Sequence, residues 1–124
     1  MKNLETSVAI HERTKDGILI SRVRKDGYET LEYAKENGAA LMKLKGEDPP
    51  MPLLVDFLHS KGQAAETRRY YAEESFKWAS RVALMVDSPV SRVIGNIYMG
   101  LNKPKVPTKL FSNEQEAIAW LKSN

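Results

Sequence analysis

The sequence contains no cysteine, which excludes disulfide bonds, thiol chemistry and cysteine-ligated metals together. It has two histidines, His11 and His59, and neither occurs in a metal-binding spacing such as HxH or HExxH. Motifs of the P-loop, GxGxxG and GxSxG types are missing as well. We therefore predict no metal, no cofactor and no catalytic residues, and we expect both histidines to be exposed or structural.

Long apolar runs and a strong charge of one sign are also missing. No run approaches the ~20 residues that cross a bilayer, and the N-terminus lacks the apolar segment of a signal peptide. The net charge is only +3, and the densest basic stretch, three lysines within residues 103–109, has no aromatic residue for base stacking. We expect a cytoplasmic protein with no nucleic-acid partner and no membrane span.

The length and the N-terminal pattern predict one α/β domain over residues 1–124. Strands at residues 6–13 and 17–23 flank Lys15-Asp16-Gly17, a typical hairpin turn. Thr30 is expected to cap the first helix, in which Gly38 allows close packing against the sheet. The nearly continuous apolar residues 53–58 indicate a central parallel strand. The inner face of the first helix is predicted to contain Leu31, Ala34, Gly38, Leu41 and Met42.

A second helix is predicted over residues 63–80, beginning near Ala64. Its inner face is expected to consist mostly of small residues, and Arg68 falls within that face. Two explanations of Arg68 remain open: its side chain reaches solvent or a carboxylate near a strand end, or it binds an anion. The residues assigned to the inner face are Ala64, Ala65, Ala72, Phe76 and Ala79.

The last third of the chain alternates between strand and helix patterns. Residues 82–87 predict a strand, and Ser88 with Pro89 is typical of a helix start. A short strand is predicted at residues 109–111, followed by a helix that Ser112 caps. This order implies parallel strands with right-handed crossovers. The inner face of the third helix is predicted from its periodicity to be Val90, Val93, Ile94, Ile97, Tyr98 and Leu101.

Several segments together resemble the SpoIIAA-like, or STAS, family, particularly bacterial members of unknown function. They are LLVDF, RRYYAEE, and VALMVDSPVSRVIGNIYMGLNKPKVPTKLF followed by SNEQEAIAWL. The resemblance covers nearly the whole chain. It implies a mixed sheet that opens with an antiparallel hairpin and continues with parallel strands and about four helices.

The resemblance also implies a regulatory serine that this sequence lacks. Anti-sigma-factor antagonists of this fold carry a phosphorylatable serine where the helix after the central strand begins. Here that stretch falls on Ala64, Ala65 and Glu66, and Thr67 lies one or two positions late. Because the effect of a phosphate depends on its placement at the helix N-terminus, we expect no phosphorylation switch at this position.

Two sets of candidate site residues remain. Asp56 and Asp87 follow probable parallel strands, where open α/β sheets place ligands, and Arg68 is their candidate partner. The alternative for the aspartates is a structural role in loops and helix starts. On the outer side of the third helix, Arg92, Gly95 and Met99 are the candidate interaction residues, because an exposed methionine beside a glycine gives an adaptable contact surface.

The sequence therefore predicts a non-catalytic STAS-like binding or regulatory module that acts through protein–protein interaction. Its partner would be another protein or a second copy of the chain, as a homodimer. The alternative is a carrier or sensor of an apolar or lipid-like small ligand. An enzyme of unknown type is the third hypothesis and rests only on the two aspartates and Arg68.

Overall fold

The structure is a computed structural model that describes residues 2–24, 27–89, 91–93, 96, 99 and 105–123. Of Lys2, Gly27 and Phe76 only the backbone is described. Several predicted positions lie outside the described residues. They are Val90, Ile94, Gly95, Ile97, Tyr98, Leu101 and Lys103, the first lysine of the basic stretch.

Six strands form the main sheet, in the order β1-β2-β3-β5-β7-β8. The first three strands are antiparallel, and β3, β5, β7 and β8 are mutually parallel. The main-sheet strands are Lys2–Glu5 (β1), Ala9–Arg13 (β2), Leu19–Val23 (β3), Met51–Asp56 (β5), Ala79–Met85 (β7) and Thr108–Phe111 (β8). A separate parallel pair consists of Gly27–Glu29 (β4) and Ser60–Gln63 (β6).

The helices connect these strands. They are Leu31–Lys45 (α1), Ala65–Glu74 (α2) with a 3-10 turn at Ser75–Lys77, a helix described at residues 89, 91–93, 96 and 99 (α3), and Glu114–Lys122 (α4). Helices α1 and α2 pack on one face of the main sheet, where Leu53 and Leu84 point. Helix α4 packs on the other face, against Leu54 and Ala83. Side-chain alternation along the strands thus creates two apolar clusters.

The predicted turn and helix starts are largely confirmed. Gly17 has φ +83°, a left-handed conformation that favours glycine in the hairpin turn. Thr30 caps α1 by accepting a hydrogen bond from the Tyr33 amide at 3.2 Å. Ala64 is the N-cap of α2, and Ser88 Oγ accepts from the Ser91 amide at 3.0 Å. The cap of α4 is corrected by one residue, because Asn113 Oδ1, not Ser112, accepts from the Glu116 amide.

The strand bounds required larger corrections. The region predicted as one strand at residues 6–13 contains β2 alone, and the additional edge strand β1 precedes it. The predicted strands at 53–58, 82–87 and 109–111 correspond to β5, β7 and β8, which are parallel as predicted. The short strands β4 and β6 were not predicted. They have three and four residues, too few for a period to stand out.

Two predicted helix faces are also corrected. Met42 is exposed, whereas Ala34, Gly38 and Leu41 are buried as predicted. Asn37 and Leu44 also face inward. Helix α2 ends at Glu74, so Ala79 belongs to β7 and not to a helix. Ala65 is exposed, whereas Thr67 and Ala72 are the buried residues of α2.

Gly38 permits a close approach, but not to the sheet as predicted. Its close neighbours are aromatic side chains of α2 and of the turn that follows α2. A Cβ atom built on Gly38 would lie 2.7 Å from Tyr70 Oη and 3.2 Å from Trp78 Cη2. Trp78 is only 2% exposed and therefore has little room to move. The absence of a side chain at Gly38 is what allows α1 to contact this pair.

We expect Gly38→Ala to lower the free energy of unfolding by about 1 kcal/mol. Alanine favours the helix by about 1 kcal/mol, but overpacking costs about 1–3 kcal/mol. Urea denaturation measures the difference. Ala39→Gly, at an exposed position of the same helix, is the matched control for helix propensity. A Gly38→Ala variant more stable than the wild type would show that Tyr70 and Trp78 rearrange freely.

Candidate functional site

A buried carboxylate joins the small parallel sheet to helices α1 and α2. Glu29, at the end of β4, is 1% exposed. Its Oε2 accepts hydrogen bonds from Tyr71 Oη at 2.5 Å and from Asn37 Nδ2 at 2.9 Å, and its Oε1 accepts from Gln63 Nε2 at 2.9 Å. Elements β4, α1, β6 and α2 therefore meet at one carboxylate, whose burial is tolerated because of these donors.

The network continues through Asn37 to the first hairpin. Asn37 Nδ2 donates to Glu29, which orients the amide so that its Oδ1 faces His11 and Thr6. His11 Nε2 lies 3.0 Å from this acceptor oxygen, so Nε2 carries the proton and donates to it. His11 is 0% exposed and Asn37 is 1% exposed. The histidine is thus structural, which matches one of the two roles expected for it.

Burial changes the proton affinities of both ring-bearing members of the network. Desolvation lowers the pKa of His11 below its usual 6.5, and the opposing effects of Asn37 and Glu36 are smaller. Desolvation, followed by the neighbouring Glu29 carboxylate, raises the pKa of Tyr71 well above 10. The Tyr71 hydroxyl therefore keeps its proton and remains a donor to Glu29.

The backbone of Glu29 also fixes the start of α2. Its carbonyl oxygen accepts hydrogen bonds from the Ala64 amide at 3.1 Å and from Thr67 Oγ1 at 3.0 Å. Thr67 is 0% exposed. The hydroxyl closest to the expected regulatory serine is therefore engaged inside the protein.

A cavity lies beside this network, between the main sheet and helices α1 and α2. The volume of this cavity is about 30 Å³. Ser75 Oγ and Trp78 Nε1 belong to residues that line the cavity, and both atoms are buried without a hydrogen-bond partner. An unpaired buried polar group costs about 1–3 kcal/mol. The lining residues are Ser21, Val23, Glu29, Leu41, Leu53, Val55, Phe57, Tyr71, Ser75, Trp78, Val82 and Leu84.

The predicted polar site does not assemble as one cluster. Asp56 Oδ2 pairs with Arg22 Nη1 at 3.1 Å, and its Oδ1 accepts from the Leu58 amide at 2.9 Å. Arg68 Nη1 donates to the Gln63 carbonyl at 3.1 Å, whereas Asp87 is exposed. Within the described ranges, no hydrogen bond or ion pair joins Asp56, Arg68 and Asp87.

Asp56 belongs instead to an ion-pair cluster on the α4 side of the sheet. Arg22 contacts Asp56 and also makes two hydrogen bonds to Glu114, at 2.8 and 3.1 Å. Hydrogen bonding to Arg22 lowers the pKa of Glu114. The cluster connects β3, β5 and the first turn of α4, which is a structural role for Asp56.

The orientation predicted for α3 is corrected at two positions. Val93 was assigned to the inner face but is 56% exposed, whereas Met99 was assigned to the outer side but packs against the core cluster of α1 and α2. Arg92 is exposed as expected. The helix pattern has apolar residues around much of its circumference, so periodicity alone selected the wrong face.

Sequence reasoning missed the Glu29 network. Asn37 lies 8 residues after Glu29 and 34 residues before Tyr71 in the sequence. Each looks like an ordinary surface residue in its own segment. No local signal in the sequence predicts that these residues meet.

The described portion of the chain contains no cluster of metal ligands and no membrane-spanning helix. There, no group of three or more His, Asp or Glu side chains is arranged to hold a metal ion. The helices described also include none that is long and apolar enough to span a bilayer.

Residues 13–124 match the family described as Domain of unknown function (DUF7793). A solved structure from Shewanella loihica PV-4, an uncharacterised DUF3478-family protein with a SpoIIAA-like fold, aligns with a TM-score of 0.63 at 18% identity and 98% coverage of both chains. The anti-sigma factor antagonist SpoIIAA, in its unphosphorylated form, aligns with a TM-score of 0.59 at 15% identity, covering 94% of this chain and 99% of its own. No curated protein sequence matches the chain.

These similarities confirm the predicted fold. The chain has the SpoIIAA-like arrangement of a mixed sheet that opens with an antiparallel hairpin and continues with parallel strands and four helices. At 15% and 18% identity, the two solved structures establish the fold and no activity.

Tyr71→Phe should lower the free energy of unfolding by about 1.5–3 kcal/mol, because it removes a hydrogen bond to a buried carboxylate. Tyr70→Phe is the matched control, since its half-buried ring precedes Tyr71 in the same helix and should change stability by less than about 0.5 kcal/mol. Urea denaturation of both variants checks the prediction. Equal effects at the two positions would contradict the special role of the Tyr71 hydroxyl.

Stability should also depend on pH through His11. Because the pKa of folded His11 is lowered below 6.5, the unfolded chain binds this proton more readily. The stabilisation is complete above pH 6.5 and is lost as the pH falls from there through the folded-state pKa. Urea denaturation across this window should show the loss in the wild type and in the exposed-site control His59→Gln. The His11→Gln variant should not show this loss of stability as the pH falls. If it does, groups other than His11 cause the loss.

Proposed function

This chain belongs to the family described as Domain of unknown function (DUF7793), and we propose that it is a non-catalytic binding or regulatory module that acts through protein–protein interaction. The observation that carries this proposal is the exposed apolar side chain of Val93 on α3. Val93 is 56% exposed, the highest value among the large apolar residues described as exposed. We propose that the protein works in the cytoplasm and without a nucleic-acid partner.

The engagement of the polar groups supports binding over catalysis. Asp56 and Glu114 are both paired with Arg22 in the ion-pair cluster. Glu29 has three side-chain donors and Tyr71 holds its proton. A general base or nucleophile needs a free group that faces a substrate. Each of these groups is instead occupied in a structural contact.

The start of α2 supports a mode of regulation without phosphorylation at this position. Ala64 and Ala65 have no hydroxyl group, and the hydroxyl of Thr67 is buried and donates to the Glu29 carbonyl. A solved structure of similar fold is an anti-sigma factor antagonist. We propose that this chain shares the use of the fold for protein binding and that its binding is controlled in another way.

The proposed interaction surface is the exposed side of α3. Arg92 and Val93 are its described members, and Gly95 of the original prediction lies outside the described residues. Met99 is withdrawn from the surface because it packs against the core. Arginine is enriched in the core of protein interfaces, and the exposed apolar side chain beside it would be removed from water by a partner. The partner is a second copy of the chain or another protein.

A second candidate function is that of a carrier or sensor of a small apolar ligand. The cavity beside α1 and α2 favours it, because its walls are mainly aliphatic and aromatic. Its volume of about 30 Å³ corresponds to roughly two water molecules. This space is smaller than a lipid tail, which favours a much smaller ligand within the lipid-like or apolar class.

We expect Val93→Glu to weaken association while leaving stability within about 0.5 kcal/mol, because the residue is exposed. Light scattering with size-exclusion chromatography measures self-association, and affinity capture followed by mass spectrometry measures partner binding. Met42→Glu, at an exposed apolar position of α1, is the matched control and should leave both unchanged.

Met99→Glu distinguishes surface from core on α3. It should lower the free energy of unfolding by more than about 2 kcal/mol, because it places a charge against the apolar cluster. Equal association of the wild type and Val93→Glu in both measurements would contradict the proposed α3 surface. A stable Met99→Glu protein would contradict the orientation of the helix.

A further inference from the structure

The two outer strands of the main sheet differ in how their edges are protected. Strand β1 carries the charged residues Lys2 and Glu5 at its two ends, and charged side chains are a usual protection of a sheet edge. Strand β8, at the opposite end of the sheet, carries one charge, Lys109, and two half-buried apolar residues, Leu110 and Phe111. An edge strand of this kind is a template for pairing with another strand.

The outward-facing backbone groups of β8 follow from its pairing with β7. The carbonyl oxygens of Pro107 and Phe111 accept hydrogen bonds from the amides of Val82 and Val86, both at 2.8 Å. Successive residues of a strand direct their N–H and C=O groups to opposite edges, so Leu110 directs both groups away from β7. Among the described residues, no backbone group bonds to Leu110 from that side. One donor and one acceptor therefore stand side by side on the outer edge of β8.

The side chains of β8 alternate between the two faces of the sheet. Leu110 packs against the apolar cluster of α1 and α2, and Phe111 packs against that of α4. Lys109 shares the face of Phe111, because its Nζ lies 5.5 Å from the centroid of the Phe111 ring. Residues opposite each other in an antiparallel pair share a face. A complementary strand therefore offers an apolar residue opposite Leu110 and, on the other face, partners for a lysine and an aromatic ring.

A second copy of β8 meets these requirements when a two-fold axis passes between the two Leu110 residues. Each Leu110 amide then donates to the carbonyl oxygen of the other Leu110, and the two side chains make an apolar contact. Lys109 lies opposite Phe111 of the second copy, and the face of an aromatic ring attracts an ammonium group. Thr108 lies opposite Ser112 of the second copy, so the whole of β8 is paired.

The neighbouring registers are less favourable. An axis through Lys109 places this lysine opposite its own copy, and like charges directly opposite each other are destabilising. An axis through Phe111 places Thr108 opposite Glu114, which is in α4, so the start of β8 has no strand to pair with. The residue pattern of β8 therefore selects one register.

We propose that β8 pairs antiparallel with β8 of a second copy of this chain, across a two-fold axis at Leu110, and joins the two main sheets into one. The inference rests on the proposed function, since it names a second copy as the protein partner, but it concerns a surface other than that of α3. Each copy contributes one short strand, and interfaces below about 1,200 Å² of buried area are weak and transient. The dimer therefore forms at high protein concentration and exchanges its subunits.

Disulfide cross-linking tests the register directly, because the chain has no cysteine of its own. Leu110→Cys places two thiols on residues whose Cα atoms are about 5.5 Å apart in the pair, within the range of a disulfide. Met42→Cys, at an exposed position of α1, is the control for random collision. Under mild oxidation with copper phenanthroline, Leu110→Cys should form a covalent dimer at least ~10-fold faster than the control, because pairing raises the effective concentration of the thiols. Non-reducing electrophoresis measures both rates.

A second pair of positions keeps the test valid if Leu110→Cys does not fold, which circular dichroism shows. Lys109 lies opposite Phe111 of the second copy, whereas Lys109 and its own copy are about 7–8 Å apart, beyond the reach of a disulfide. An equimolar mixture of Lys109→Cys and Phe111→Cys should therefore cross-link at least ~10-fold faster than either variant alone.

Three results would overturn the proposal. Equal rates for Leu110→Cys and Met42→Cys would show that the two strands do not meet. Rapid cross-linking of Lys109→Cys alone would place the axis at a different residue. Cross-linking of Val93→Cys without that of Leu110→Cys would assign self-association to α3, and the proposed function would then stand without the β8 contact.

Discussion

The contact on which this half of the protein depends is the burial of Glu29 where β4, α1, β6 and α2 meet. A carboxylate that is 1% exposed is tolerated only if the protein replaces the hydrogen bonds of water. The replacement donors come from Asn37, Gln63 and Tyr71, one on each of three other elements. Directional hydrogen bonds thus fix the positions of α1 and α2, in addition to the non-directional packing of the apolar cluster.

The same residue explains why the start of α2 is rigidly held. The Glu29 carbonyl accepts from the Ala64 amide and from the Thr67 hydroxyl, so its main chain and side chain both hold this helix. A phosphate on Thr67 would break the second of these bonds and bring negative charge close to the buried carboxylate. The absence of a serine at positions 64–66 is therefore consistent with the surrounding structure, in which this helix start is a fixed internal contact.

Local patterns predicted the elements of the fold, and non-local contacts limited the prediction of the site. The Thr30 cap, the Gly17 turn and the parallel strands each leave a local sequence signature. The orientation of α3 does not, because Val93 and Met99 are both apolar and tertiary packing decides which of them faces inward. The Glu29 network is harder still, since its members belong to distant segments and each resembles a surface residue until the chain is folded.

The two faces of the sheet differ in what their polar groups can still do. On the α4 face, Arg22 pairs with both Asp56 and Glu114, so each of these three charged groups already has a partner of opposite charge. On the face of α1 and α2, the Glu29 carboxylate accepts three side-chain hydrogen bonds. Ser75 and Trp78, which belong to the lining of the apolar cavity, each have a buried polar atom without a partner. A hydroxyl and an indole N–H offer hydrogen bonds without a base to activate a nucleophile. These two groups differ from the ion pairs of the α4 face, because they offer hydrogen bonds and carry no charge.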